Sequence, residues 1–264
     1  MQGLKTILIT GASRGIGLGL TKHLLETVTG VRVIATYRSD ATATKLFELS
    51  SSYSKDQLFL LQLDTTSEQS YKTASVELAA AGVTSLDILI ANAGVAHRHN
   101  TLTCPPADAL EAYNTNVVGS MLTVQAFHGL LTVNKGGAKL AVFTSSVMGS
   151  IEKSIEMQGG AMAYRASKAA LNMMAACYAE EQAKDGVKVV ALHPGWVQTE
   201  MGGGSAPLTV EDSVQGITQI LLTAAQVQFK SKDVATPAAY KTFEDKLKNN
   251  NIVFAAFDGG LLPW

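Results

Sequence analysis

Two cysteines, Cys104 and Cys177, are the only thiols in 264 residues, and their spacing suits neither a disulfide framework nor a zinc site. A reducing, cytoplasmic setting is expected. No apolar run reaches the roughly 18 residues of a spanning helix, because Gly, Asn, His or Lys interrupts each one, so no membrane partner is expected. The opening "MQGLKTILIT" runs straight into a strand-like segment and does not resemble a secretory signal. Charge is scarce as well: 16% of residues are charged and the net charge is -1. That leaves no broad basic surface for nucleic acid or anionic lipid. Internal repeats, low-complexity tracts and interdomain linkers are missing, so residues 1–264 are read as one domain. His97 and His99 in "AHRHN" have no third ligand nearby and read as solvent-facing rather than as a metal site.

Apolar residues make up 47% of the chain, enough for a large core. They recur as short β-branched or aliphatic runs at 5–10, 31–37, 58–64, 86–94, 138–146, 187–195 and 251–259, six of them followed by a helix-period stretch. Runs apolar on both faces, alternating with helices, predict a Rossmann-like, doubly wound α/β fold: a seven-stranded parallel sheet with helices on both faces. Ligands in such sheets bind beyond the carboxyl ends of the strands. The chemistry is therefore expected in the exit loops at 11–17, 38–40, 64–66, 92–100, 145–163 and 194–208. "MGGGSAP" (201–207) reads as a mobile lid. The polar stretch 226–250 reads as a surface excursion with a short helix near 238–248.

"TGASRGIG" (10–17) lies between the first strand and the first helix, where backbone amides and the positive helix end meet a pyrophosphate. Its spacing is G-x-x-x-G-x-G rather than G-x-G-x-x-G, so the turn is a variant of the usual dinucleotide fingerprint. Gly11, Ser13, Arg14, Gly15, Ile16 and Gly17 are its candidate cofactor contacts. The second strand ends in Ala35, Thr36 and Tyr37, with no acidic residue for a ribose 2'-hydroxyl; Asp40 lies too far along. Arg38 follows directly. With Arg14 it offers two guanidinium groups to a 2'-phosphate, which favours NADP(H) over NAD(H), unless both are solvated surface charges. Asp64 and Asn92–Ala93–Gly94 close the third and fourth strands and suit contacts to adenine and its ribose, although such residues also form turns.

In "AMAYRASKAAL" (161–171) Tyr164 precedes Lys168 by one helical turn, so the two share a face. With seven tyrosines in the chain, chance supplies ~0.4 such pairs, and the pair alone signifies little. Its context carries more, since it follows the fifth strand, whose exit "TSS" supplies hydroxyls on the side of the glycine turn.

These motifs, taken in order with Asn116 in "NTNVVG", Ser146 in "TSSVMG" and "HPGWVQT" (193–199), resemble the short-chain dehydrogenase/reductase family over nearly the whole length. "HPGWVQTEMGG" and "DGGLLPW" (258–264) are similar to the subgroup of C-factor and sniffer-type carbonyl reductases, and to fungal ketoreductases. The resemblance implies a catalytic tetrad of Asn116, Ser146, Tyr164 and Lys168. Tyr164 would exchange the proton with a carbonyl or alcohol oxygen, its acidity raised by Lys168 and the oxidised nicotinamide. Ser146 would stabilise the oxyanion, Lys168 would also hold the nicotinamide ribose, and Asn116 would hold a water. Pro194, Gly195, Val197 and Thr199 would seat the nicotinamide. A small-molecule carbonyl or alcohol is the expected partner, with homodimers or homotetramers formed through the helices that hold Asn116 and Tyr164.

The chain departs from the family's shorter members in "IEKSIEMQGG" (151–160), ahead of Tyr164, which reshapes a pocket wall and bears on whether Ser145 or Ser146 faces inward. Ser146 is favoured because it precedes "VMG". Val95, Ile151, Ile155, Met157 and Met201 point to an apolar ketone, Trp196 is either pocket or packing, and His193 is positional. Two other readings stand: a dinucleotide-binding sensor on the same fold, and an alcohol dehydrogenase working in the oxidising direction.

Overall fold

The computed structural model describes residues 5–157, 159–225 and 238–264. Seven strands form one parallel sheet: β1 (Lys5–Ile9), β2 (Val31–Tyr37), β3 (Leu58–Gln62), β4 (Ile88–Ala91), β5 (Leu140–Thr144), β6 (Lys188–His193) and β7 (Ile252–Ala256). Their order is β3-β2-β1-β4-β5-β6-β7, and every neighbouring pair is parallel. The order reverses between β1 and β4, which places a crevice over their carboxyl ends.

Strand residues alternate between two cores, as a period of two requires. Ile7, Ile9, Val33, Val142, Val190 and Val253 face one layer of helices: α1 (Gly15–Thr27), α2 (Thr44–Ser50), α8 (Val210–Ala224) and α9 (Ala238–Asn249). Leu8, Ile34, Leu61, Leu89, Phe143 and Val189 face the other: α3 (Glu68–Ala80), α5 (Gly119–Thr132) and α7 (Met162–Glu181). Each helix presents an apolar stripe at helical spacing, Leu20 and Leu24 on α1, Tyr71, Ala74 and Leu78 on α3. Sheet burial on both sides explains why the strands read as continuous apolar runs.

Between α4 (Pro106–Tyr113) and α5 the chain widens into a π-helical turn, Asn114–Val118. The 151–160 insertion folds in part as α6 (Ile151–Ser154). The helix expected near 238–248 is α9, whereas residues 226–237 of the polar excursion lie outside the described residues. Among the described residues no helix is long and apolar enough to cross a membrane.

Candidate active site

The glycine turn is pinned from both sides. On the β2 side, Gly11 N donates to Thr36 Oγ1 at 3.2 Å and Ala12 N to Thr36 O at 2.8 Å. On the β4 side, Thr10 Oγ1 accepts from Asn92 N and Ala93 N at 2.9 and 3.1 Å. The Asn92 amide reaches back to Thr10 O and Gly11 O, at 3.0 and 3.3 Å. Asn92 is thus a brace for the turn. Gly11 has φ +66°, and a Cβ there would sit 2.9 Å from Ala93 Cα, so both conformation and space require glycine.

The turn ends in an open helix terminus. Arg14 occupies the N-cap of α1 without a side-chain cap, and the first turn holds no acidic residue. α3 and α8, by contrast, are capped by Ser67 and by a Thr209–Asp212 capping box. The first backbone N–H groups of α1 therefore keep their positive field for an anion. That is the feature a pyrophosphate needs, and the turn fits a dinucleotide.

Asp64 spends Oδ1 on Thr66, accepting from its N at 2.9 Å and its Oγ1 at 2.7 Å, and so closes a turn. The two arginines expected to serve a 2'-phosphate differ in their present partners. Arg14 Nη1 lies 2.8 Å from Glu200 Oε2, while Arg38 is exposed and makes no side-chain hydrogen bond or ion pair to a described residue.

The tetrad residues meet beyond β5 and β4. Ser145 and Ser146 turn opposite ways: Ser145 Oγ donates to Asn172 Oδ1 at 2.6 Å inside the core, whereas Ser146 is the serine that acts on the Tyr164 phenol, in the direction that lowers its pKa. Ser146 Oγ also accepts from Met148 N at 3.1 Å, which fixes the serine at the head of a one-turn 3-10 helix. Gly149 ends that turn hard against α7, and a Cβ there would sit 2.8 Å from the Lys168 carbonyl carbon.

Lys168 Nζ donates to Thr144 O at 2.6 Å and lies 5.6 Å from the Tyr164 ring centroid. Burial lowers the lysine from its ordinary value to about 7, and burial raises the Tyr164 phenol, with the Ser146 hydrogen bond opposing that rise. In the protein alone, burial is the largest influence on both groups. Desolvation penalises both charged forms, and Lys168 is turned to a carbonyl.

Asn116 sits fully buried in the π-helical turn. Its Nδ2 donates to Val95 O at 3.0 Å and to Ser167 Oγ at 2.8 Å, and its Oδ1 accepts from Val95 N at 2.9 Å. The amide is fully used in tying the loop after Gly94 to α7. A Cβ on Gly94 would lie 3.0 Å from Asn116 Oδ1 and 3.6 Å from Lys168 Nζ, so these three residues border one space.

The 194–208 segment is tied down rather than loose. Gly195 has φ +86°, Pro194 O accepts from Ser213 Oγ at 2.6 Å, and Val197 is buried and bridges Leu208. Thr199 Oγ1 accepts from Gly202 N at 3.0 Å, Trp196 Nε1 donates to Gly202 O at 2.8 Å, and Arg98 Nη2 donates to Met201 O at 2.9 Å. The backbone groups of Gly202 and Gly203 are anchored by the residues around them, since Gly203 N also donates to Thr199 O at 2.8 Å. Thr199 also borders the glycine turn, since a Cβ on Gly15 would stand 3.4 Å from its Cγ2.

His97 and His99 are not simply solvent-facing. His97 contacts Asp108 and Glu111, at 3.4 and 3.1 Å, and His99 contacts Asp108 at 3.0 Å, all to carboxylates of α4. His193 Nδ1 is buried without a hydrogen-bond partner, and burial lowers that imidazole to about 4, so it is neutral at pH 7. Asn172 and Glu200 carry no motif that sequence reading isolates, because their partners lie 27 and 186 residues away.

A doubly wound sheet, an uncapped glycine turn at its switch point and a Ser–Tyr–Lys cluster beside it define a dinucleotide-dependent oxidoreductase site. The family model for short chain dehydrogenases matches residues 5–207, and the chain belongs to that family. It is 35% identical over 262 residues to an uncharacterized oxidoreductase of Schizosaccharomyces pombe, covering 98% of each chain. Its structure is similar to an NADPH-bound carbonyl reductase from chicken fatty liver, with TM-score 0.83 and 31% identity over the full length of both chains. It is also similar to the carbonyl reductase Sniffer of Drosophila melanogaster, with TM-score 0.82 and 29% identity, covering 99% of this chain and 100% of that one.

Proposed function

We propose that the chain works as one cytoplasmic unit, an NADP-dependent carbonyl reductase acting on a ketone or aldehyde. The observation that carries this reading is the gathering of Ser146, Tyr164 and Lys168, with Lys168 Nζ 5.6 Å from the Tyr164 ring centroid and Ser146 acting on the Tyr164 phenol, at the end of the sheet that holds the uncapped glycine turn. Two relatives of similar structure are carbonyl reductases, one of them bound to NADPH.

The cofactor, when bound, supplies the hydride. Gly11, Ser13, Gly15, Ile16 and Gly17 with the α1 terminus bind its pyrophosphate, and Arg14 and Arg38 serve a 2'-phosphate. Asp64, Asn92, Ala93 and Gly94 border the adenosine half, and Pro194, Gly195, Val197 and Thr199 the nicotinamide half. Ser146 donates to the substrate oxygen. Tyr164, kept protonated by burial, is poised to give its proton to that oxygen as charge develops. Lys168, whose ammonium has donors beyond the one given to Thr144 O, would hold the ribose hydroxyls, and Asn116 fixes the loop that borders it. In reverse the same atoms take the proton from an alcohol.

Tyr164→Phe is expected to lower kcat by about 10²- to 10⁴-fold, the range of a lost general acid, with the NADPH Kd unchanged. NADPH oxidation in the presence of aromatic and aliphatic ketones measures this. Turnover at the parental rate would overthrow the mechanism, and a lower KM for NADH than for NADPH would overthrow the cofactor assignment.

A further inference from the structure

We infer that Glu200 is a specificity-determining residue: it competes with the cofactor's 2'-phosphate for Arg14 and so narrows the discrimination between NADP(H) and NAD(H). The inference rests on the reading of Arg14 as a 2'-phosphate ligand.

Arg14 belongs to the β1 exit and Glu200 to the β6 exit, 186 residues apart, and the pair is the contact by which their side chains join the two loops. The loops also approach each other where the Thr199 side chain borders Gly15, a Cβ on which would stand 3.4 Å from Thr199 Cγ2. Glu200 is presented by a tethered segment. Thr199 Oγ1 accepts from Gly202 N, Gly203 N donates to Thr199 O at 2.8 Å, and Arg98 holds Met201 O. The backbone that carries Glu200 is therefore held near the glycine turn, within reach of Arg14. Among the described residues neither group makes another side-chain hydrogen bond or ion pair.

The two cofactors differ in what they ask of Arg14. A 2'-phosphate draws the guanidinium toward a second anion and so weakens or breaks its pair with Glu200, whereas a 2'-hydroxyl leaves the pair intact. Glu200 also repels the pyrophosphate, but that repulsion is common to both cofactors and cancels in the ratio of their affinities. What remains is the loss of one ion pair between side chains that are 64% and 76% exposed. Exposed pairs of this kind shift an equilibrium by about 1.5- to 5-fold, so Glu200 tunes the preference and does not abolish it. Arg38, with no competing carboxylate partner among the described residues, carries the remainder.

The test is a double-mutant cycle. NADPH and NADH are titrated against the parental protein, Glu200→Gln, Arg14→Ala and the double variant at low salt, with adenosine 2',5'-bisphosphate and AMP as probes that lack the nicotinamide half. With Arg14 intact, Glu200→Gln is expected to raise the ratio of NADPH to NADH affinity by about 1.5- to 5-fold, and the bisphosphate to AMP ratio with it. In the Arg14→Ala background the same substitution is expected to leave both ratios unchanged. An unchanged or lower ratio in Glu200→Gln overturns the competition, as does an equal rise without Arg14. If Arg14→Ala alone leaves the ratio at its parental value, the 2'-phosphate reading of Arg14 fails and the competition with it. If Arg14→Ala lowers the ratio and Glu200→Gln does nothing, only the role of Glu200 fails. Both side chains are exposed, so equal thermal melting of all four proteins checks that folding is not the cause.

Discussion

Ser145 and Ser146 are adjacent, both buried and identical in type, yet Ser145 bonds into the core while Ser146 acts on the Tyr164 phenol. Ser146→Ala is expected to lower kcat by about 10²- to 10³-fold, as for a lost oxyanion donor. Ser145→Ala should instead leave Asn172 Oδ1 unpaired in the core and cost about 1–3 kcal/mol of stability by urea unfolding, with most of the turnover per folded molecule retained. Lys168 offers a second test. Its folded value of about 7 lies below the ordinary 10.5, so between those pH values the unfolded chain binds a proton that the folded one does not. Stability is therefore expected to rise with pH across that window and to be lost as pH falls toward 7. Lys168→Met should lack this slope in unfolding curves collected without cofactor. At this scale the motif company of Tyr164, Lys168 and Ser146 singled out three residues that the fold brings together. The direction of each hydroxyl and the depressed lysine depend on burial, which no spacing reports.

Helix termini decide where the elements deliver their residues. α7 begins at Ala161 with φ +53°, a left-handed conformation unfavourable for a residue with a Cβ, three residues before Tyr164. The N–H of Met162, without a partner inside the helix, donates to His99 O at 3.0 Å, so the loop after β4 closes the start of α7. Ala161→Gly is expected to raise stability by about 1 kcal/mol, seen as a higher urea midpoint, because glycine adopts that conformation without the Cβ penalty. Strand and helix placement was largely legible, since each apolar run became a strand and the helix near 238–248 became α9. The π-helical turn at Asn114–Val118 was not, because Asn116 turns inward to meet Val95 and Ser167, partners that lie 21 and 51 residues away. The tethering of 194–208 was missed for a related reason: glycines announce freedom, whereas Arg98, Trp196 and Thr199 supply the restraint.

Across the whole molecule, the chain after β7 turns back on the sheet. Ala255 pairs antiparallel with Leu261, Leu262 N donates to Phe254 O at 2.8 Å, and Trp264 stacks on Phe254 with ring centroids 5.4 Å apart. This return covers the free edge of β7, an edge that would otherwise invite pairing with another chain. Ser150 Oγ donates to Trp264 O at 3.3 Å, joining the return to the insertion beside Ser146. Leu110 and Tyr113 of α4, Met121 of α5 and Met173 of α7 stay exposed on the helices expected to form subunit contacts. A homodimer through this face is expected to sediment at twice the chain mass, and Met173→Glu with Leu110→Glu should return it to the chain mass; a parental protein already at the chain mass would rule the contact out. The alternation of apolar runs and helical stretches by itself determined a doubly wound parallel sheet, because only burial on both faces tolerates strands with no polar side. The order of motifs determined the family and put forward the four residues proposed as its tetrad. Only the tertiary structure decided which serine faces Tyr164, that Lys168 rests on Thr144 O, and that Arg14 meets Glu200. Those outcomes depend on which distant loops the sheet brings within about 3 Å, and hydrogen bonds and ion pairs form only at that range.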